Sequence, residues 1–314
     1  MFKRIEAVAG SKKEATQEDL VRVIRSLHKQ NDYTLTSILK AVGFPKATYY
    51  YQLKCLERPD KDQAIKDDIL AIREEHKDYG YRRVHAELRR RGYQVNKKKV
   101  HRLMKEMKLQ VTSFTRKSRK YNSYKGDVGT IVPNLLNRRF KSSIPRQKIL
   151  TDTTEFKYYE TDSSGNLQIK KLYLDPFLNL FNLQIVSYKI SHQPNKESMM
   201  EALKDAVRAT DDCEFRRTFH SDQGWAYQME DYQDHLKNHA IFQSMSRKGN
   251  CLDNSPMENF FGLMKQEIYY GKSYRSYEEL KEAIQNYIRY YNENRIKEKL
   301  GWLSPVEYLE KYAS

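Results

Sequence analysis

The hydrophobic period of this chain changes near residue 146, and this change constrains the fold more than any other feature of the sequence. Before it, apolar residues recur every three or four positions, which predicts amphipathic helices. After it, the segments KILTDTTEFKYYE, LQIKKLYL and LQIVSYKIS have the composition and alternation of strands. Two further short strands, FRRTFH and IFQSM, then alternate with helical segments. The chain is therefore predicted to have an all-α region followed by an α/β domain.

The order of these elements predicts the architecture of each part. Three strands in a meander, followed by strands that alternate with helices, predict an RNase H-like fold with a five-stranded mixed sheet flanked by helices. In the all-α region, Gly43 and Gly92 each separate two short helical stripes, as in a helix-turn-helix, although an ordinary helical hairpin has the same pattern. The predicted segments are an N-terminal helix-turn-helix region at 1–58, a second basic helix-turn-helix domain at 59–112, a basic linker at 113–145, the RNase H-like core at 146–272, and a C-terminal helix and cap at 273–314.

Charge is divided unequally between the two parts. Residues 1–150 carry 36 Lys and Arg against 16 Asp and Glu, a net charge of +20, whereas residues 151–314 carry 21 against 25, a net charge of −4. General solubility does not explain this segregation. The basic half is predicted to bind a polyanion, and the acidic half concentrates the carboxylates that a metal site requires.

The strongest basic cluster lies on the second helical pair. Residues 81–120 hold 15 basic and 2 acidic residues. A recognition helix places its first turn in the major groove of DNA while neighbouring cations contact phosphates. The predicted DNA-binding residues of this region are Arg82, Arg83, Lys97, Lys98, Lys99 and Arg102. A charged run of this kind can also be no more than a solvated helix face.

Three acidic residues in distinctive surroundings predict the catalytic chemistry. Asp152 lies in the first strand, Asp222 follows the fourth strand, and Glu258 opens a helix in NSPMENFFGLMKQE. If the strands pair as predicted, the three carboxylates converge and can hold two Mg²⁺ ions, with Mn²⁺ as a substitute. Two such ions promote in-line attack on a phosphodiester. Lys265, two helical turns beyond Glu258, is placed to bind a phosphate.

Long stretches of the chain resemble a known family. HSDQGWAY, SMSRKGNCLDNSPMENFFGLMKQE and YIRYYNENRIKEKLGWLSPVEYL are similar to the DDE transposases of bacterial insertion sequences, of the OrfB type with a retroviral-integrase-like core. The similarity continues upstream through YGYRRVHAELRRRGYQVNKKKVHRLMKEMKLQ and so covers the chain from about residue 60. It implies that Asp152, Asp222 and Glu258 are catalytic metal ligands and that Lys265 contacts the element end.

The resemblance also implies a reaction and its partners. The reaction is cleavage at the 3′ end followed by strand transfer, in which a 3′ hydroxyl attacks directly. The partners are double-stranded DNA, as terminal inverted repeats and as target, other copies of the chain on paired ends, and an OrfA-like protein. Two alternatives remain open from the residues: a DNA-binding repressor or architectural protein without catalysis, and an RNase H-like nuclease without strand transfer.

The remaining sequence signals concern location. No stretch approaches the length of a membrane span, and no signal-peptide core precedes the first helix. Cys55, Cys213 and Cys251 are an odd number and widely spaced, which argues against a disulfide framework. We therefore expect a bacterial cytoplasmic protein, associated with the nucleoid and not with a membrane.

Overall fold

The chain divides into two compact units. The computed structural model describes residues 16–30, 33–113, 130–248 and 250–313, and the two units are Met1–Leu70 and Ala71–Ser314. Residues 114–129, most of the predicted basic linker, lie outside the described residues. Among the described helices, none has both the length and the apolar character needed to cross a bilayer.

The first unit contains a helix-turn-helix arrangement. Its helices are α1 (Gln17–Lys29), α2 (Leu35–Val42) and α3 (Lys46–Leu56), and α4 (Gln63–Glu75) spans the division between the units. Thr16 caps the N-terminus of α1, and Gly43 ends α2 with φ 66°, a left-handed conformation that glycine adopts without strain. The hydrophobic cluster between these first three helices contains Val21, Ile24, Leu27, Ile38, Leu39 and Tyr49.

The second unit begins with the basic helical pair. Its helices are α5 (Tyr81–Arg90) and α6 (Lys97–Glu106), and Gly92 between them has φ 91°. Asn96 caps α6, since its side chain accepts a hydrogen bond of 2.8 Å from the Lys98 amide. The predicted pair of helices, with its turn and its cap, is confirmed.

This helical pair is attached to the C-terminal segment of the same unit. The Tyr79 hydroxyl donates to the Asn294 carbonyl at 2.9 Å and accepts from the Ile296 amide at 3.0 Å. Arg83 Nε donates to the Ile296 carbonyl at 3.1 Å. Residues 71–113 and 273–313 therefore pack in one unit with the sheet, whereas the sequence suggested separate segments.

The sheet has six strands that occupy five positions. They are β1 (Lys148–Thr151), β2 (Thr154–Thr161), β3 (Leu167–Asn179), β4 (Ile185–Ser191), β5 (Thr218–Ser221) and β6 (Phe242–Met245). β1 and β2 both pair antiparallel with β3, at opposite ends of it, so they form one broken strand. β4 pairs with β3, β5 runs parallel to β1, and β6 runs parallel to β5. The predicted mixed sheet is confirmed, with six strands instead of five because the first predicted strand is broken into β1 and β2. β3 also extends through Asp175–Asn179, a segment that the sequence suggested was a connection.

Helices cover both faces of this sheet. The helices of the core are α7 (Lys196–Ala209), α8 (Glu230–Asn238), α9 (Ser255–Met264), α10 (Tyr277–Glu293) and α11 (Pro305–Tyr312). Consecutive β1 residues face opposite layers: Ile149 packs with α7 and α8, and Leu150 packs with α9 and α10. Both side chains are fully buried, as expected for the centre of a three-layer α/β/α core.

The described end of the predicted linker is part of this core. Leu136 is buried in the cluster that α9 and α10 cover. The Leu135 amide donates to Ser244 Oγ in β6 at 2.9 Å. The prediction of a linker along the whole of 113–145 is therefore wrong for the part around Leu135 and Leu136. The Leu136 side chain and the Leu135 amide attach this part to the core.

Candidate active site

The pairing of β1 with β5 brings two of the predicted acids together. Leu150 lies opposite His220 in this parallel pair. β1 ends at Thr151 and β5 ends at Ser221, so Asp152 and Asp222 each directly follow a strand of this pair. Parallel pairing therefore brings both aspartates to the same edge of the sheet.

Local hydrogen bonds fix both aspartates just beyond their strands. Asp152 lies in the break between β1 and β2, and its Oδ1 accepts from the Thr153 amide at 2.8 Å. Asp222 Oδ1 accepts from the Gly224 amide at 2.8 Å. A Cβ atom at Gly224 would lie 2.9 Å from this same oxygen, so the close approach requires glycine.

The third acid, Glu258, reaches the same region from a helix. Asn254 precedes α9, and its Nδ2 donates to the Thr151 carbonyl at 3.1 Å, one residue before Asp152. Glu258 lies in the first turn of α9 and lines an open surface cavity together with Gly262. An added Cβ at Gly262 would meet nothing within 4 Å, so this face of the helix is open to a ligand.

The carboxyl groups interact electrostatically. Burial, followed by the charge of Asp222, raises the pKa of Asp152 well above its ordinary value, and Glu258 raises it further. Burial also raises the pKa of Asp222 and that of Glu258. Within the described residues, neither Asp152 nor Asp222 forms an ion pair with Lys or Arg. Carboxylates that repel one another in this way are stabilised by a bound cation.

The arrangement is suited to a divalent metal but is not a closed set of ligands. In the part of the chain that the structure describes, no three His, Cys, Asp or Glu side chains are grouped tightly enough to hold an ion as they stand. The sequence predicted that all three acids converge. Asp152 and Asp222 directly follow two paired strands, and the charge of Asp222 acts on Asp152, whereas Glu258 lines a surface cavity one helical turn beyond Asn254. The donor chemistry, three oxygen ligands, fits Mg²⁺ or Mn²⁺.

A fourth carboxyl group lies behind the site. Asp175 in β3 is 3 % exposed, and its Oδ1 accepts from Thr153 Oγ1 at 2.6 Å. Burial raises the pKa of Asp175 to about 6. Tyr227, whose hydroxyl lies 3.5 Å from Thr153 Oγ1, completes this buried polar group. Asp175 was not predicted to belong to the site, because the only signal for it in the sequence is one acid inside an apolar run.

Lys265 lies near the acids but not on the face that the sequence suggested. Its Nζ donates to Thr154 Oγ1 at 2.6 Å and lies 5.0 Å from the centre of the Phe156 ring. Gln266, not Lys265, lines the cavity with Glu258. A wide π turn begins at Lys265, where the Tyr270 amide donates to the Lys265 carbonyl, so α-helical spacing ends at this residue.

The predicted DNA-binding residues of α6 lie on its outer face. Lys97 and Lys98 are exposed in the first turn, and Lys99 is partly exposed. Arg102 is exposed and pairs with Glu106 one turn later, at 2.7 Å. These positions are compatible with a phosphate-binding face, and the DNA contacts themselves stay a prediction.

The two arginines of α5 differ from one another. Arg82 is exposed, with its guanidinium 5.8 Å from the Tyr81 ring centre. Arg83 is partly buried and donates to the Ile296 carbonyl. The expectation that both side chains lie on an outer face is wrong for Arg83, because it joins the helical pair to the C-terminal segment.

Comparisons with known proteins agree with this architecture. Residues 59–118 match an HTH-like domain, and residues 142–251 and 258–312 match integrase core domains. The chain is 43 % identical over 277 residues to a protein of Escherichia coli named as the transposase InsK of insertion sequence IS150, covering 88 % of this chain and 93 % of that protein. The chain belongs to the insertion-sequence DDE transposases. It is therefore an enzyme of the polynucleotidyl transferase type with an RNase H-like core, and DNA is the partner that the family implies.

A second curated relative is also transposase-like, and two solved structures match at low identity. A transposase-like protein of Haemophilus influenzae is 46 % identical over 219 residues, which cover 70 % of this transposase and 95 % of the relative. Among solved structures, the catalytic core of HTLV-2 integrase is 14 % identical with a TM-score of 0.38, over 52 % of this chain and 96 % of that one. The catalytic domain of Mos1 mariner transposase is also 14 % identical with a TM-score of 0.38, over 46 % and 70 %.

Proposed function

We propose that this transposase binds the terminal inverted repeats of its element, cleaves at the 3′ ends and joins them to target DNA, with Asp152, Asp222 and Glu258 as the metal ligands. The observation that carries the proposal is the parallel pairing of β1 with β5, since Asp152 and Asp222 each directly follow one of these strands, next to the residue that anchors the helix of Glu258. Two divalent cations bound there would activate an attacking hydroxyl and stabilise the leaving 3′ oxygen.

The residues around the acids have supporting roles in this proposal. The amides of Thr153 and Gly224 hold the two aspartates in place, so that little reorganisation is needed when a cation binds. Glu258 turns from its cavity toward Asp152 to complete the ligand set. Lys265, on the strand side of the acids, binds a phosphate of the element end, and Arg82, Lys97, Lys98, Lys99 and Arg102 bind the DNA backbone further away.

Copies of the chain are proposed to act together. An element has two ends and each chain carries one set of acids, so joining both ends requires at least two copies. An OrfA-like partner stays part of the proposal for end recognition.

Strand transfer distinguishes this proposal from a nuclease. The transposase is incubated with duplexes that carry the element's terminal repeats, together with a plasmid target and Mg²⁺. The expected result is a covalently joined product that also forms with Mn²⁺ and is absent in EDTA. Cleaved ends without any joined product would favour the nuclease, and full activity in EDTA would contradict the metal assignment.

A further inference from the structure

One buried carboxylate beside the site binds two arginines. Asp253, in the turn before α9, is 1 % exposed. Its oxygens accept from Arg138 Nε at 2.8 Å and from both Nε and Nη2 of Arg247 at 2.8 Å. Asn134 Nδ2 also donates to it, at 3.1 Å. Hydrogen bonds from Arg247, and then from Arg138, lower the pKa of Asp253 far below its ordinary range, so the carboxylate is charged and the cluster has a net charge of +1.

The two guanidinium groups remain open to solvent although their partner is buried. The side chain of Arg138 is 43 % exposed and that of Arg247 is 58 % exposed. A guanidinium has five N–H donors, and Asp253 takes one from Arg138 and two from Arg247. Arg138 gives another to Asn250 Oδ1, at 3.1 Å. Both groups therefore keep donors for a further anion while their orientation is fixed.

Backbone contacts tie this cluster to the acidic site. The Asp253 carbonyl lies 2.9 Å from Nε2 of His220, which precedes Asp222 by two residues. The next residue, Asn254, donates to the carbonyl that precedes Asp152. Glu258 follows in the first turn of α9. The cluster is thus positioned against all three elements that carry the acids.

Local charge explains why a fixed pair of cations is useful here. Residues 151–314 have a net charge of −4, and the acids of the site repel a phosphate that approaches them. An exposed ion pair alone contributes little to stability, whereas a guanidinium held by a carboxylate is pre-organised to bind phosphate oxygens. We infer that Arg138 and Arg247, oriented by Asp253, form a binding site for one phosphodiester group of the DNA strand that enters the acidic site. This inference rests on the proposed function.

The test compares Arg247→Ala and Arg138→Ala with Arg208→Ala, a control whose side chain is 78 % exposed and pairs with Asp205 on α7. Removing either arginine leaves Asp253 with the other, so the fold is retained. DNA affinity is measured in EDTA across a salt titration, with the element-end duplex as the probe. Each test variant is expected to bind DNA about 5- to 10-fold more weakly at low salt. The salt slope, which is the slope of log affinity against log salt concentration, is expected to decrease in magnitude by about 1. Arg208→Ala is expected to change neither the DNA affinity nor the salt slope.

A conservative variant separates a phosphate contact from a structural role. Arg247→Lys keeps the charge, so it is expected to keep the wild-type salt slope. The inference is overturned if Arg247→Ala and Arg138→Ala both keep the wild-type salt slope. It is also overturned if the salt slope of Arg247→Lys falls as much as that of Arg247→Ala. Because binding is measured without metal, this outcome is independent of the joining assay, whose failure would instead contradict the proposed function.

Discussion

Asp152→Asn and Glu258→Gln are each expected to lower the rates of end cleavage and joining by about 1,000-fold or more, which corresponds to about 4 kcal/mol of transition-state stabilisation. An amide oxygen is a weaker ligand for a hard cation than a carboxylate, so the metal is lost or misplaced. DNA affinity is expected to stay within about twofold of wild type or to rise slightly, because each change removes a negative charge near the phosphates.

The measurement pairs single-turnover joining with a binding titration on the same duplex. Glu155→Gln is a matched control. Glu155 lies one residue into β2, and its carboxylate pairs with Lys171 at 2.9 Å and accepts from the Tyr173 hydroxyl at 3.1 Å, away from the acids. The control is expected to join ends at close to the wild-type rate. An equal loss of binding and of joining in Asp152→Asn would contradict the assignment of this residue to the chemistry.

Asp175→Asn is expected to stabilise the metal-free protein at neutral pH relative to wild type, by an amount that grows between pH 4 and pH 6. Burial raises the pKa of Asp175 from 3.8 to about 6. Below about pH 4 the group is protonated in both the folded and the unfolded chain. As the pH rises toward 6, the unfolded chain releases the proton first, so wild-type stability falls. A shift of this size corresponds to about 3 kcal/mol at most. Asparagine does not ionise, so Asp175→Asn avoids this loss of stability. Its side-chain oxygen can still accept the hydrogen bond from Thr153 Oγ1.

The relevant measurement is the free energy of unfolding of both proteins in EDTA at several pH values. His220 titrates in the same window with the opposite sign, because burial lowers its pKa to about 4, and its contribution cancels in the difference between the two proteins. A difference that does not change with pH would show that Asp175 ionises normally in the folded protein.

The sequence was sufficient to predict the mixed sheet and the position of Asp222 directly after a strand. Strand alternation places Ile149 and Leu150 in opposite layers, and the position of Asp222 directly after a strand parallel to β1 follows from the order of elements. The cap at Asn96 is also a local signal, since its side chain binds an amide two residues away. Features that depend on the alternation of apolar residues, or on residues close together in the sequence, could therefore be predicted.

Features that depend on tertiary contacts could not be predicted from the sequence. The role of Arg83 depends on a carbonyl more than two hundred residues later, and nothing near it in the sequence indicates this partner. The role of Asp253 has no local signal, because its partner Arg138 lies in a segment that was predicted to be a linker. Lys265 was placed by helical spacing from Glu258, whereas its contact with Thr154 in β2 is tertiary.

If Asp152, Asp222 and Glu258 form one site for paired divalent cations, a crystal structure of the transposase with Mn²⁺ and an element-end duplex will show it, because anomalous scattering locates the metal. We expect two anomalous peaks roughly 3.5–4 Å apart, with carboxylate oxygens of all three residues as ligands and the scissile phosphate beside them. Manganese bound elsewhere, or a Glu258 carboxylate that stays in its surface cavity with DNA bound, would contradict it.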